Sequence, residues 1–315
     1  MQKILIVSSK NLLLQPFDGS QKRIYDISKF LSKNNKVDLL CIGNSFSKKK
    51  YSHLKHLNQL KVFQTNFFSK IVNVLFSIFK IEPMQNGYFF SKEIKSYVDE
   101  NKDNYDVIIF HLIRTAQYLP NNYRGKAILE MTDLISSNYN QIISSTSFLN
   151  PIKYLYLAEY FLLKKYELNI STLFDKVIFV SKKELSSSKL FIEKNKVEVI
   201  GNTFEIKRKI FKFKKNNFRI LFVGNINYLP NKMACYNFAK KVMPRLNKKY
   251  KNLQFDIVGK ISALDKFFLS KSKNVKIHGP LHKLDVLIKE SICGVCNLKI
   301  ATGIQTKIFT YMSYG

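Results

Sequence analysis

The stretch Arg219-Ile-Leu-Phe-Val-Gly-Asn-Ile-Asn-Tyr-Leu-Pro-Asn231 decides the fold. Its apolar run lacks polar alternation, the pattern of a strand buried on both faces, and so of parallel pairing. A glycine turn follows, and a helix opens near Pro230. A second stretch, Thr302-Gly-Ile-Gln-Thr-Lys-Ile-Phe-Thr-Tyr-Met-Ser-Tyr-Gly315, places a glycine loop and Lys307 at another helix start. Two such glycine–helix units in one half of a chain point to a phosphate-bearing ligand held at helix N-termini.

The same pattern recurs outward along the chain. Strands are predicted at 3–8, 36–42, 106–111, 126–131, 176–180, 196–200, 218–224, 253–259, 275–278 and 294–298. Most are continuous apolar runs such as Val107-Ile-Ile-Phe110. Helices are predicted between them at 20–33, 91–101, 152–170, 182–189, 233–250 and 306–314. This alternation specifies a doubly wound α/β fold. The charged, aperiodic run over 204–217 precedes a fresh buried strand, so two Rossmann-like domains are expected, 1–205 and 206–315.

The formal charge of +30, with a pI near 9.8, calls for an anionic partner. Only six of the 52 basic residues are Arg: Arg23, Arg114, Arg124, Arg208, Arg219 and Arg245. Sequence-reading DNA proteins lean on Arg for bidentate contacts to guanine. Lys, here alongside abundant Asn, Ile, Phe and Tyr, fits compositional bias plus a weak membrane-surface attraction. No specific nucleic acid is expected. The residues from Met1 onward read as a first strand and not a signal peptide, and no apolar run is long enough to span a membrane. Four cysteines fit a reducing compartment, so the expected location is cytoplasmic, with peripheral contact at the inner membrane face.

Two aromatic segments, 66–80 and 154–167, each admit two readings. Either is an amphipathic helix lying on a membrane or a helix packed on the core, and amphipathicity alone does not separate them.

Ligands of doubly wound sheets lie beyond the carboxyl ends of the strands. In the first half those ends carry Ser8, Ser9, the loop from Pro16 through Gly19 to Arg23, His111, Asp133 and Ser181. In the second half they carry Gly224, Asn225, Gly259, Lys260, His278 and Gly279, and the last loop adds Gly303 and Lys307. Gly19 leaves room for a close backbone approach, and Arg23 one turn on can meet an anion. His111 is either a sugar-binding imidazole or one satisfied by backbone. Lys307 is either a diphosphate neutraliser or a solvated lysine. His278, His282, Cys293 and Cys296 superficially resemble a zinc site. The two cysteines bracket a strand and face opposite ways, so no metal is expected.

These residues together resemble the GT-B glycosyltransferases of family 4, and most closely its bacterial exopolysaccharide-type sugar transferases. Pro16, Gly19 and Arg23 match that family's donor-facing loop, and His111 its strand-end histidine. Leu129-Glu-Met-Thr-Asp-Leu-Ile-Ser-Ser-Asn-Tyr139 and Phe179-Val-Ser181 match further segments. Phe222–Asn231 and Gly303-Ile-Gln-Thr-Lys-Ile-Phe-Thr310 resemble its donor-side motifs.

The resemblance implies two Rossmann-like domains facing across a cleft, the second incomplete because relatives continue past this point. It implies a retaining, metal-independent transfer from a nucleotide-sugar to a lipid-linked or polysaccharide acceptor, with no cofactor. His111, Arg23 and Lys307 would serve the chemistry. Gly19, Gly224, Asn225, Gly279, Gly303, Ile304, Gln305 and Thr310 would bind the donor. The family's ribose-binding glutamate is Thr310 here, which leaves open a catalytically impaired or truncated homologue. The charge leaves open a polyanion-binding protein.

Overall fold

The computed structural model describes residues 1–13, 15, 17–43, 51–188, 193–204, 218–281, 284–301 and 305–314. The chain forms two compact units, one over Met1–Asn202 and one over Thr203–Ala301 with Gln305–Gly315.

The strands of the first unit are β1 (Lys3–Ser8), β2 (Lys36–Ile42), β3 (Gln59–Phe63), β4 (Val107–His111), β5 (Lys126–Thr132), β6 (Lys176–Phe179) and β7 (Val197–Val199). Its helices are α1 (Gly19–Leu31), α2 (Phe67–Phe79), α3 (Met84–Tyr88), α4 (Lys92–Asn101), α5 (Ile135–Ser145), α6 (Ile152–Ser171) and α7 (Lys182–Ser188). The strands form one parallel sheet in the order β3-β2-β1-β4-β5-β6-β7. Successive side chains alternate between its faces. Leu5, Val7, Ile108 and Phe110 join one core and Ile4, Ile6, Val107 and Ile109 the other. Two buried faces explain the continuous apolar runs. The strand order reverses between β1 and β4, the switch point beside which such sheets hold ligands.

The second unit contains β8 (Arg219–Val223), β9 (Gln254–Val258), β10 (Val275–Gly279) and β11 (Ser291–Gly294). They pair in parallel in the order β10-β9-β8-β11, and Ile220, Phe222, Phe255 and Ile257 build the core. The helices are α8 (Leu229–Asn237), α9 (Met243–Lys249), α10 (Ala263–Ser270), α11 (Asp285–Lys289) and α12 (Thr306–Met312).

Three differences from the sequence reading have local causes. The helix expected over 233–250 starts earlier and contains a widened π turn, Phe238–Val242. Pro244 follows that turn and has no N–H to return to Lys240, so the α-helical ladder is interrupted there. The strand expected at 294–298 lies earlier, as β11. The Val295 N–H still bonds Leu221 O, but the Val295 carbonyl accepts from the Tyr311 hydroxyl and the ladder stops. The sequence reading lacks β3, an edge strand whose Leu60 and Val62 pack on one core while Lys61 lies on the opposite face.

Candidate functional site

At the switch point, parallel pairing sets Ser8 of β1 beside His111 of β4. The Ser8 hydroxyl lies 3.0 Å from His111 Nδ1 and accepts from the Lys10 backbone N–H at 3.0 Å. Its own proton is therefore available to Nδ1. On the far side of the ring, Nε2 lies 3.5 Å from Glu130 Oε2, which assigns the ring proton to Nε2. Burial, then Lys10, Arg23 and Arg114, push the His111 pKa down to about 3. The ring is thus neutral, and its approach to Glu130 is not an ion pair.

Glu130 belongs to Arg23 instead. Arg23 Nε donates to Glu130 Oε1 at 2.5 Å, and both side chains are buried. Arg23 Nη1 donates to Gly201 O at 3.3 Å and Asn202 Oδ1 at 3.1 Å. Thr132 Oγ1 donates to Glu130 Oε2 at 2.7 Å. Thr132 and Leu112, next to His111, both hold left-handed backbone, φ 60° and 72°, a strain that recurs at functional sites. Ser9 Oγ, Arg23 Nη2 and His111 Nε2 are buried and have no hydrogen-bond partner among the described residues. Native proteins rarely leave such atoms unpaired without a ligand or water to receive them.

Gly19 is the first residue of α1, one place after the cap. Asp18 caps the helix, accepting from the Gln21 N–H at 2.9 Å, while Gln21 Oε1 accepts from the Asp18 N–H at 2.9 Å. Lys10 pairs with Asp18 at 3.0 Å. The first turn of α1 therefore already holds a carboxylate of its own. Pro16 lies outside the described residues.

In the second unit, glycines end β8, β9 and β10 side by side. Gly224 N–H bonds Val258 O at 2.9 Å, and Gly259 N–H bonds Gly279 O at 2.8 Å. Gly259 at φ 142° and Gly279 at φ 70° use backbone that L side chains rarely adopt. Asn225 closes the next turn, its side chain accepting from the Asn227 N–H at 3.2 Å. Asn231 bridges the motifs: Nδ2 donates to Asn225 O at 2.8 Å, and Oδ1 accepts from Lys307 Nζ at 2.6 Å. The Lys307 ammonium sits 4.4 Å from the centre of the Phe222 ring. Lys307 is buried, and burial lowers its pKa. No carboxylate pairs with it among the described residues.

Gln305 precedes α12 as its cap residue, and Thr310 Oγ1 donates to Thr306 O at 3.2 Å. Gly303 and Ile304 lie outside the described residues. His278 Nε2 lies 2.5 Å from Asp256, and His282 is outside the described residues. Among the described residues no cluster of metal-ligating side chains forms.

The structure thus gathers Ser8, His111 and Arg23 in one unit and Gly224, Asn225 and Lys307 in the other. Three neighbours escaped the sequence reading: Glu130, Asn231 and Tyr311. The Tyr311 hydroxyl accepts from the Val223 N–H at 2.9 Å and holds α12 against β8. Of the three, only Glu130 left a legible signal, a lone carboxylate within an apolar strand.

Residues 217–315 match the family described as Glycosyl transferases group 1. The second unit is therefore a glycosyltransferase domain. A search of curated proteins finds no match. Among solved structures the chain is similar to HepE (Alr3699) of Anabaena, in complex with UDP and glucose. The TM-score is 0.63 at 14% identity, over 99% of this chain and 78% of that one. It is similar to TarM of S. aureus, in complex with UDP among other ligands, at TM-score 0.61 and 10% identity, over 93% and 80%. OtsA follows at TM-score 0.55 and 12% identity, over 100% and 82%. These likenesses establish a GT-B fold, with two Rossmann-like domains. Fold and domain together make the chain a glycosyltransferase.

Proposed function

We propose that this glycosyltransferase moves a sugar from a nucleotide-sugar to a lipid-linked or polysaccharide acceptor in cell-surface glycan synthesis. The transfer retains the anomeric configuration, needs no metal or other cofactor, and takes place at the inner membrane face. Lys307 carries the donor half of this proposal. An ammonium buried without a countercharge is costly in the empty protein and favourable once an anion arrives. Through Asn231 it is tied to the turn at Gly224 and Asn225, where a glycine lets a ligand approach the backbone closely. HepE and TarM were each solved with UDP, which supports a nucleoside diphosphate as that anion.

In this proposal Lys307 offsets charge on the leaving diphosphate, and Gly224, Asn225, Gly279 and Gln305 contact the donor, with Gly303 and Ile304 assigned to it from the sequence alone. His111, neutral and protonated on Nε2, donates a hydrogen bond to the sugar. Arg23 contributes Nη2, its remaining donor. No protein nucleophile is required if the leaving phosphate takes the acceptor proton on the same face of the sugar. The test is a thermal shift with a panel of UDP-, GDP-, ADP- and dTDP-sugars. One donor class should raise Tm, and Lys307→Met should weaken it by roughly 10–100-fold, the loss of a charge-assisted contact. No shift with any donor, beside tight DNA binding, would overturn the proposal.

Thr310 favours a second reading, a homologue that holds the donor without turnover. Its hydroxyl already serves the helix backbone, and threonine cannot grip two ribose hydroxyls as a carboxylate does.

A further inference from the structure

The helix α2 is mounted inside out. Its sequence, Phe-Phe-Ser-Lys-Ile-Val-Asn-Val-Leu-Phe-Ser-Ile-Phe, contains four polar residues, Ser69, Lys70, Asn73 and Ser77, of which Asn73 and Ser77 form a short polar stripe, and is otherwise apolar. A helix on a globular protein normally turns its apolar stripe inward. Here the polar stripe does so. Asn73 Nδ2 donates to Phe90 O at 3.4 Å, Ser77 is buried, and α3 lies so close that a Cβ on Gly87 would meet the Asn73 backbone. Phe67, Phe68, Phe76 and Phe79 are 77%, 75%, 59% and 84% exposed.

A second exposed apolar surface adjoins the same hairpin. The Glu159 carboxylate of α6 accepts the N–H groups of Met84 at 2.8 Å and Gln85 at 3.1 Å, which ties α6 to the start of α3. The first half of α6 and the turn before it expose Phe148, Leu149, Ile152, Leu155 and Phe161. Isolated exposed apolar residues are ordinary, but two helical faces of them, one on α2 beside α3 and one on the α6 helix tied to α3, mark an interaction site.

Charge selects the occupant. The α2 segment contains no acidic residue. The two glutamates of α6, Glu159 and Glu167, are both buried, Glu167 against Ser136. The outward surface of both helices therefore carries lysines alone, namely Lys70, Lys153, Lys164 and Lys165, with Lys80 capping α2. A second copy of the chain would set like charge against like charge on this surface. A bilayer with anionic headgroups meets both requirements, since acyl chains accept the aromatic side chains and headgroups the lysines. Among the described residues no helix is long and apolar enough to cross a membrane.

We infer that α2 and the first half of α6 form a monotopic docking face that inserts aromatic side chains into an anionic lipid surface. This deepens the proposed site of transfer but rests on the surface of the first unit alone. It is tested by flotation of the full chain with phosphatidylcholine vesicles, with and without 30% phosphatidylglycerol by composition, a fraction on the order of that in anionic membranes.

The expected result is binding to anionic vesicles, weaker by about tenfold or more on neutral ones. The triple variant Phe68→Ser, Phe76→Ser, Phe79→Ser should lose binding, and Lys80→Glu with Lys164→Glu should reduce it and its salt sensitivity. These positions are exposed, so an unchanged circular dichroism spectrum and Tm should accompany the loss. Equal binding by wild type and triple variant would overturn the inference. So would a dimer, seen by sedimentation, that the aromatic substitutions dissolve. Donor-induced Tm shifts are read separately, so failure of vesicle binding and failure of the transfer proposal remain distinguishable.

Discussion

At the residue scale, Arg23, expected to meet an anion of the donor, is already paired with Glu130 at the end of the first sheet. Both side chains are buried, and a buried pair is vulnerable because removing one partner leaves the other charge uncompensated. Glu130→Gln should cost about 3–5 kcal/mol in urea unfolding, and adding Arg23→Met should recover most of that loss. Additive losses would show that the pair is not coupled. His111 gives a second prediction, through pH. Its pKa is near 6.5 when unfolded and about 3 when folded. Between those values the unfolded chain binds a proton that the folded chain refuses, so acidification favours unfolding. The contribution of His111 is complete above about pH 6.5 and is lost progressively toward pH 3. From pH 7 to pH 5 it amounts to about 2 kcal/mol. Stability of the His111→Gln variant should fall less steeply over that interval. An unchanged slope would mean that the ring is charged in the folded protein.

At the scale of elements, the close approach of β8 and β9 rests on Gly259. A Cβ there would lie 1.7 Å from Gly224 O, at a backbone φ of 142°. Gly259→Ala should therefore destabilise the protein by about 2–4 kcal/mol and weaken donor binding beyond what stability explains. A variant of wild-type Tm would refute that packing. The need for glycine here was legible, because glycine after an apolar run marks a strand end at which the backbone turns. The strands themselves were legible for the same physical reason, since burial on both faces suppresses alternation. The orientation of α2 was not, because a periodic pattern shows that a helix has two faces and not which one turns inward. The partner of Glu130 was hidden differently. One carboxylate inside Ala127-Ile-Leu-Glu-Met131 has no local partner, and Arg23 reaches it only through the register of the folded sheet. The Asn231 link to Lys307 was equally invisible, because it joins two motifs far apart in the chain.

At the scale of the whole molecule, the charge of +30 and the buried Lys307 predict two kinds of anion binding with different salt dependence. A polyanion lying across surface lysines releases one condensed counterion for nearly every phosphate neutralised. Its affinity should drop by roughly 10³–10⁵ between 50 and 200 mM salt if about 6–10 phosphates are engaged. A nucleotide-sugar held by one buried ammonium, by an Arg23 guanidinium already neutralised by Glu130, and by neutral donors has no such reservoir of counterions. Buried charges are also poorly screened, so its affinity should fall by only about tenfold or less over the same interval. Titrating the full chain with a stabilising nucleotide-sugar and with double-stranded DNA, at both salt concentrations, separates the two. A shallow dependence for the donor and a steep one for DNA would place the surface charge in the service of location and Lys307 in the service of transfer. Equally steep dependence for both would mean that the donor is held by surface lysines, and the role given to Lys307 would fall.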